Sequence, residues 1–383
     1  MDASRYVDSE FGGPAKVGSK HSYVAYRPKP LPRSLEISAD NTRLLGDAEA
    51  ALGRLAGVGR LLPDPDLLVT PYLRREALSS ARIEGTQATL VEVLDAEISE
   101  DILNPDLEEV VNYILAMRTG LEKLESLPLS NRLLREIHAV LLRGVRGRER
   151  SPGEFRTTQN WIGDQSATVE TAYFVPPPPS EMGDLLTDFE FFLHEASELP
   201  VLVRIALAHY QFETIHPFLD GNGRLGRLLI VFYLVWCKRL PAPLLYLSPY
   251  LESNRDRYYD SLQVVRETGR FDPWLRLMLE AIETQASDAL VRAERLVDLR
   301  ERYRVSVRER TRGAANEAIE LVFRQPIITS RIVEQELAIS KPSALSALKQ
   351  LEGSGLLSQF EQAGPHGQHK WFAPEIITVL GDD

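Results

Sequence analysis

Among 383 residues there is one cysteine, Cys237, so no disulfide can form within the chain. It lies in an apolar segment and reads as a small buried hydrophobe. No uninterrupted apolar run reaches bilayer-spanning length, and Met1 to Tyr6 lack the basic-then-apolar order of a secretory leader. These absences lead us to expect a cytoplasmic protein with no membrane partner. Positive charge is also scarce. With 44 Lys and Arg against 55 Asp and Glu the net charge is −11, which argues against a non-specific grip on nucleic acid or acidic lipid. No G-x-x-x-x-G-K-[ST] stretch occurs, so a Walker A phosphate loop is excluded. What is present is ordinary for a globular chain: 44% hydrophobic and 26% charged residues, enough for two or three domains and a large core.

One stretch carries chemistry: Ile215-His216-Pro217-Phe218-Leu219-Asp220-Gly221-Asn222-Gly223-Arg224-Leu225-Gly226-Arg227. Apolar segments flank it, Val201 to Ile215 and Leu228 to Cys237, both read as buried helices. Pro217 disfavours helical angles at His216 and should end the first helix there. Gly221 and Gly223 permit backbone angles closed to other residues, so main-chain N–H groups can converge at the start of the second helix. Such a turn is an anion site, and phosphate is the usual anion. Arg224 and Arg227 share one face of the first turn and can clamp two phosphates. Asp220 offers a hard oxygen suited to Mg²⁺, and His216 is the one group here that titrates near neutrality. An EF-hand is ruled out, because the twelfth position from Asp220 is Val231 rather than Glu. A plain turn with solvated arginines is the remaining alternative. The set points to phosphoryl or nucleotidyl transfer.

His216 to Arg227 matches, at every fixed position, the H-x-F-x-[D/E]-G-N-G-R-x-x-R motif of the Fic family, and the chain thereby resembles that family. The resemblance implies transfer of AMP from ATP to a Ser, Thr or Tyr hydroxyl of a protein. It implies His216 as general base and Asp220 as the Mg²⁺ ligand. Gly221, Asn222 and Gly223 would cradle phosphates, with Leu225 and Gly226 in the same phosphate-binding turn. Arg224 and Arg227 would bind the β- and γ-phosphates.

Upstream, residues 1–35 look extended or disordered, with Pro28, Pro30 and Pro32 punctuating them. Helical spacing then covers Leu44 to Leu55, about Leu67 to Glu84, Leu107 to Leu124 and Arg132 to Leu142, with Thr89-x-x-Glu92 as a capping box. Residues 36–125 form a helical N-terminal region and 126–280 the core. Glu84 sits at the end of its helix, where a carboxylate opposes the macrodipole; a solvated residue or a local pair with Arg82 would account for it. Ser80-Ala81-Arg82-Ile83-Glu84-Gly85 also fits the [S/T]-x-x-x-E-[G/N] inhibitory motif of many Fic proteins. That resemblance implies an N-terminal inhibitory helix in which Ser80, Glu84 and Gly85 act together. Glu84 would pair with Arg227 and obstruct the γ-phosphate.

Phe155 to Gly163 and Thr168 to Val175 read as two short strands closed by Pro176 to Pro179. This hairpin reads either as a mere connection or, as the resemblance implies, as a flap over the nucleotide that docks the target at about 157–175 by strand addition. Tyr258 falls where the family places a tyrosine near adenine, although paired tyrosines in a helix are more often core. Arg266 stands near the place of a second base-contacting asparagine. Residues 281–313 form a charged linker helix that can also dimerise. Residues 314–383 read as three helices and a hairpin broken by Gly364-Pro365-His366-Gly367, the order of a winged helix-turn-helix. With five basic and nine acidic residues that unit carries −4, which disfavours DNA binding relative to protein contact.

The fold class expected is mainly α: a Fic helical core with a β-hairpin flap, an N-terminal helical region and a C-terminal winged helix. The activity expected is an adenylyltransferase using MgATP, restrained by Glu84 and able to modify itself. AMP removal, transfer of phosphate or phosphocholine, and DNA-binding regulation are the alternatives.

Overall fold

Helices form where the apolar spacing puts them, and polar caps set their ends. A computed structural model describes all residues except 19–21, 62–65, 99–103, 145–149, 165, 309–312, 361–368 and 382–383. The N-terminal region contains α1 (Ala39–Leu61), α2 (Asp66–Ile83), α3 (Leu90–Ala96) and α4 (Pro105–Leu124). Thr89 caps α3 through the reciprocal pairing with Glu92, and Asn104 caps α4 ahead of Pro105. The core contains α5 (Asn131–Leu141), α6 (Met182–His194), α7 (Val201–Ile215), α8 (Asn222–Trp236), α9 (Ser248–Ser253) and α10 (Arg255–Thr268). α7 and α8 are mostly apolar and buried on almost every face, together with the few polar side chains they carry, such as Arg204, His209 and Glu213 of α7 and Arg224 and Arg227 of α8. They pack on each other, with α4 and α5 against α8 and α6 against α7.

α11 (Asp272–Arg308) is a 37-residue spine that runs along α1 and reaches the C-terminal unit. That unit comprises α12 (Ala314–Arg324), β3 (Ile327–Thr329), α13 (Ser330–Leu337), α14 (Lys341–Gly353), β4 (Ser358–Gln359), β5 (Lys370–Phe372) and α15 (Pro374–Leu380). Its antiparallel sheet has the order β3-β5-β4, with Ile327 and Ser358 both opposite Phe372. This is the element order expected for a winged helix; the tip with Gly364 to Gly367, His366 included, lies outside the described residues. The unit rests on α2 as well as α11. Arg74 of α2, 2% exposed, donates to the Arg324 carbonyl (2.7 Å) and the Gln325 side chain (2.6 Å), and pairs with Glu97.

Two expectations need correction. Of the extended or disordered reading of the first 35 residues, the extended half holds and the disordered half does not among the described residues: β1 (Gly12–Val17) and β2 (Tyr23–Pro28) form an antiparallel hairpin. Tyr26 is fully buried against Phe174, and its N–H donates to the Val175 carbonyl. The proline-rich stretch is therefore ordered by packing on the core. The two flap strands, in turn, shrink to a single bridge between Ile162 and Phe174. Other flap groups find partners elsewhere: Trp161 donates to the Ala167 carbonyl, Asn160 to the Phe218 carbonyl of the motif loop, and the Tyr173 and Val175 carbonyls accept from Tyr6 and Tyr26 of the N-terminal segment.

Candidate active site

The motif forms one turn between α7 and α8. α7 ends as Pro217 requires, with His216 in the left-handed region at φ 49°, an uncommon setting for a non-glycine residue. Buried Arg156 holds it there. Its guanidinium donates to the carbonyls of His216 (2.9 Å), Pro177 (2.6 Å) and Ile215 (3.3 Å), so helix end and flap base are fastened together. Burial, then the nearby cations Arg156 and Arg266, push the His216 imidazole down to about 3, with the Glu213 carbonyl opposing in part. His216 is therefore neutral at physiological pH and able to accept a proton.

His138 of α5 supports the turn from behind. Its Nδ1 accepts from the Gly153 N–H (2.8 Å), so the proton lies on Nε2, which donates to the Asp220 carbonyl (2.9 Å). The ring stacks on Phe218 at 3.8 Å, and burial pushes it down to about 4, keeping that tautomer neutral. Gly221 takes φ 73°, and its N–H bonds the Asp220 carboxylate at 2.6 Å. The Asn222 side chain closes the loop on itself, donating to the Phe218 carbonyl and accepting the Phe218 N–H, both at 2.9 Å. One amide hydrogen and the carbonyl oxygen are thus used in shaping the turn. A Cβ on Gly223 would lie 2.6 Å from Glu84 Oε1 and 3.1 Å from Arg227 Nη1, so the missing side chain is what leaves room for an anion.

Arg224 and Arg227 are buried, not solvated, at 4% and 1% exposure. Arg227 donates through Nε to the Ser80 hydroxyl (2.8 Å) and through Nη2 to the Ser80 carbonyl (2.9 Å) and Glu84 Oε1 (2.8 Å). Burial opposes ionisation of Glu84, but the Arg227 guanidinium outweighs it and holds the carboxyl below the usual range. Arg227 is correspondingly raised. A local pair of Glu84 with Arg82 is not formed; Arg82 donates to the Ala88 carbonyl and lies near Glu252. Gly85, at φ 100°, turns the chain directly after Glu84. Arg224 approaches Glu109 (3.4 Å) and Asp220 (3.6 Å), yet its Nε and Nη1 hydrogens have no acceptor, and neither has Arg227 Nη1.

Sequence reasoning grouped three further residues with this turn, and the structure moves them away. Leu225 is core. Gly226 faces α7, where a Cβ would lie 2.3 Å from Glu213 Oε1 and 3.1 Å from His209. Tyr258 is 1% exposed, and its hydroxyl donates to His209 Nε2 (2.9 Å) because His209 Nδ1 donates to the Gly226 carbonyl. The neighbouring Tyr259 is the partly exposed ring, with Arg255 stacked on it and Arg255 also donating to the Ile83 carbonyl. Arg266 is buried 3.9 Å over the Phe174 ring and bonds Thr214. Arg156, His138, Glu109 and Glu213 were missed. None stands at a fixed position of either motif, and only the packing reveals its partner.

A glycine turn at a helix N-terminus, with two buried arginines and a neutral histidine, makes a site suited to an anion such as phosphate. The comparisons agree. Residues 42–122 match the Fic/DOC family N-terminal description, and residues 128–234 match that of the Fic/DOC family. The chain belongs to the Fic family. Among similar proteins are those named protein adenylyltransferase Fic in Drosophila grimshawi, 31% identical over 211 residues, and Culex quinquefasciatus, 33% identical over 216. Both alignments span 53% of this chain but only 40% and 39% of those proteins. A Fic family protein from Desulfovibrio desulfuricans G20 superimposes with a TM-score of 0.57 at 21% identity, covering 88% of this chain and 97% of that one. Fic-1 from C. elegans does so with 0.51 at 20% identity, covering 67% and 73%. These structures share the fold.

Proposed function

We propose that the chain transfers AMP from MgATP to a Ser, Thr or Tyr hydroxyl of a protein, and that Glu84 restrains it in cis. The observation that carries the reading is the set of buried, unspent donors at the glycine turn: Nε and Nη1 of Arg224 and Nη1 of Arg227. Buried N–H groups without acceptors are costly, and a triphosphate satisfies several at once. The names of the relatives support adenylyl transfer as the reaction.

In this reading His216 takes the proton of the target hydroxyl. The freed oxygen bonds to the α-phosphorus as the bond from that phosphorus to the bridging oxygen of pyrophosphate breaks. The main-chain N–H groups of the turn stabilise the charge on the α-phosphate, and Arg224 with Arg227 hold the departing pyrophosphate. Asp220, partly exposed at the mouth of the turn, is the residue suited to Mg²⁺. The ion would neutralise phosphate charge. Glu84 occupies both the Arg227 guanidinium and the space left by Gly223, so a γ-phosphate has to displace it. Exposed Trp161 and Tyr173 on the flap offer an apolar edge for a target segment.

The test is incubation of the native chain, Glu84→Gly and His216→Ala with ATP labelled at the α-phosphate, following both self-labelling and a lysate. Label that is weak on the native chain, strong with Glu84→Gly and lost with His216→Ala is the expected pattern. Strong labelling by His216→Ala would overturn the assigned base.

A further inference from the structure

Glu84 is one of three acids set against the motif arginines, with Asp220 and Glu109. Glu109, in the first half of α4, is 8% exposed, and its Oε2 lies 3.4 Å from Arg224 Nη1. The same oxygen accepts from the Thr86 hydroxyl at 3.1 Å, and Thr86 is likewise buried. Thr86 stands two residues beyond Glu84, and its N–H bonds the Ala81 carbonyl at 3.2 Å. The next residue is tied to the same helix, the Gln87 N–H donating to Asp106 at 3.1 Å. Glu109 therefore touches both the phosphate-binding arginine and the segment that delivers the inhibitory glutamate.

The two contacts differ in kind. The one to Arg224 is an ion pair without hydrogen-bond geometry, so it orients the guanidinium by charge while leaving Nε and Nη1 unspent. The one to Thr86 is a buried hydrogen bond, which fixes the turn. Because Glu109 is anchored in a helix, it cannot follow the turn when Glu84 is displaced. We infer that Glu109 is a positioning residue: it aims Arg224 at the anion by charge and, through Thr86, holds the inhibitory turn in its closed place. This rests on the nucleotide reading given above and adds a second restraint to it.

Two variants separate the roles. Glu109→Gln keeps an acceptor for Thr86 but removes the charge that aims Arg224. In the Glu84→Gly background it should raise the Kd and KM for MgATP on the order of tenfold, with kcat moving less. Thr86→Val keeps the shape but loses the anchor. In the native background it should raise AMP transfer several-fold, and in the Glu84→Gly background it should add nothing, since there is no inhibitory carboxylate left to release. Melting temperatures taken alongside identify a merely structural role, which would lower stability and leave the Kd of the folded chain unchanged. An unchanged or lower Kd for Glu109→Gln, in a Glu84→Gly parent that binds MgATP, overturns the positioning role alone. A parent that binds no MgATP overturns the nucleotide reading and the inference together. Equal gains from Thr86→Val in both backgrounds overturn the restraint.

Discussion

Replacing Glu84 by glycine removes one carboxylate and leaves the groups that hold Arg227 in place. Arg227 keeps its bonds to the Ser80 hydroxyl and carbonyl, so the guanidinium stays at the turn and only its charge partner disappears. A hydrogen bond between charged groups contributes about 1.5–3 kcal/mol. The Glu84 side chain is 35% exposed, so solvent screening reduces that to roughly 1–2 kcal/mol. Because a phosphate must displace the carboxylate, the same energy should return as affinity, a gain of roughly 5- to 30-fold for MgATP. Titration calorimetry of the native and Glu84→Gly chains measures it directly. The sign with pH also follows. The folded-state value is depressed below the ordinary 4.5, so the inhibitory charge is fully present above the unfolded value and is lost as pH falls through the folded one. The affinity ratio of variant to native should therefore be flat between about pH 6 and 8. Equal affinities, or a ratio that changes steeply across that window, would refute the idea that Glu84 competes with phosphate for Arg227.

The surrounding structure makes further expectations. Gly226→Ala would set a Cβ 2.3 Å from Glu213 Oε1; the overpacking cost of about 1–3 kcal/mol exceeds the helix-propensity gain, and the melting temperature should fall. Arg74→Met leaves the Glu97 carboxylate and the Arg324 carbonyl without their buried partner, so denaturant unfolding should register a loss of about 3–5 kcal/mol. Burial raises Glu213 from 4.5 to about 7, so the folded state binds the extra proton in that interval and stability declines as pH rises through it. Glu213→Gln should remove this decline, and parallel melting profiles of the two chains between pH 4.5 and 7 would contradict the assignment.

The motif was legible because its chemistry demands residue types that leave a trace: a proline that ends α7, glycines at a turn, arginines at a helix start. The buried flanks were equally plain, since α7 and α8 are mostly apolar. Ser80, Glu84 and Gly85 were readable as a group only through the family resemblance, since spacing alone favoured a solvated Glu84 or a pair with Arg82; the structure brings Ser80 and Glu84 onto Arg227. Other features were hidden because they depend on distant partners. Arg156 meets the His216 carbonyl across 60 positions and His138 meets the Asp220 carbonyl across 82. The first 35 residues could be read only as extended or disordered, because the contacts that order Tyr26 come from Phe174 and Val175, far along the chain. Of two adjacent tyrosines, spacing alone did not tell that Tyr258 turns inward to His209 and Tyr259 outward.

The central claim is that the α-phosphate is the group transferred. The most direct measurement is a comparison of ATP labelled at the α-phosphate with ATP labelled at the γ-phosphate, using the Glu84→Gly chain and, as control, the same chain with His216→Ala. The account predicts protein-bound label from α-labelled ATP only, abolished by His216→Ala. Protein-bound label from γ-labelled ATP, or none from either while the nucleotide demonstrably binds, would contradict it.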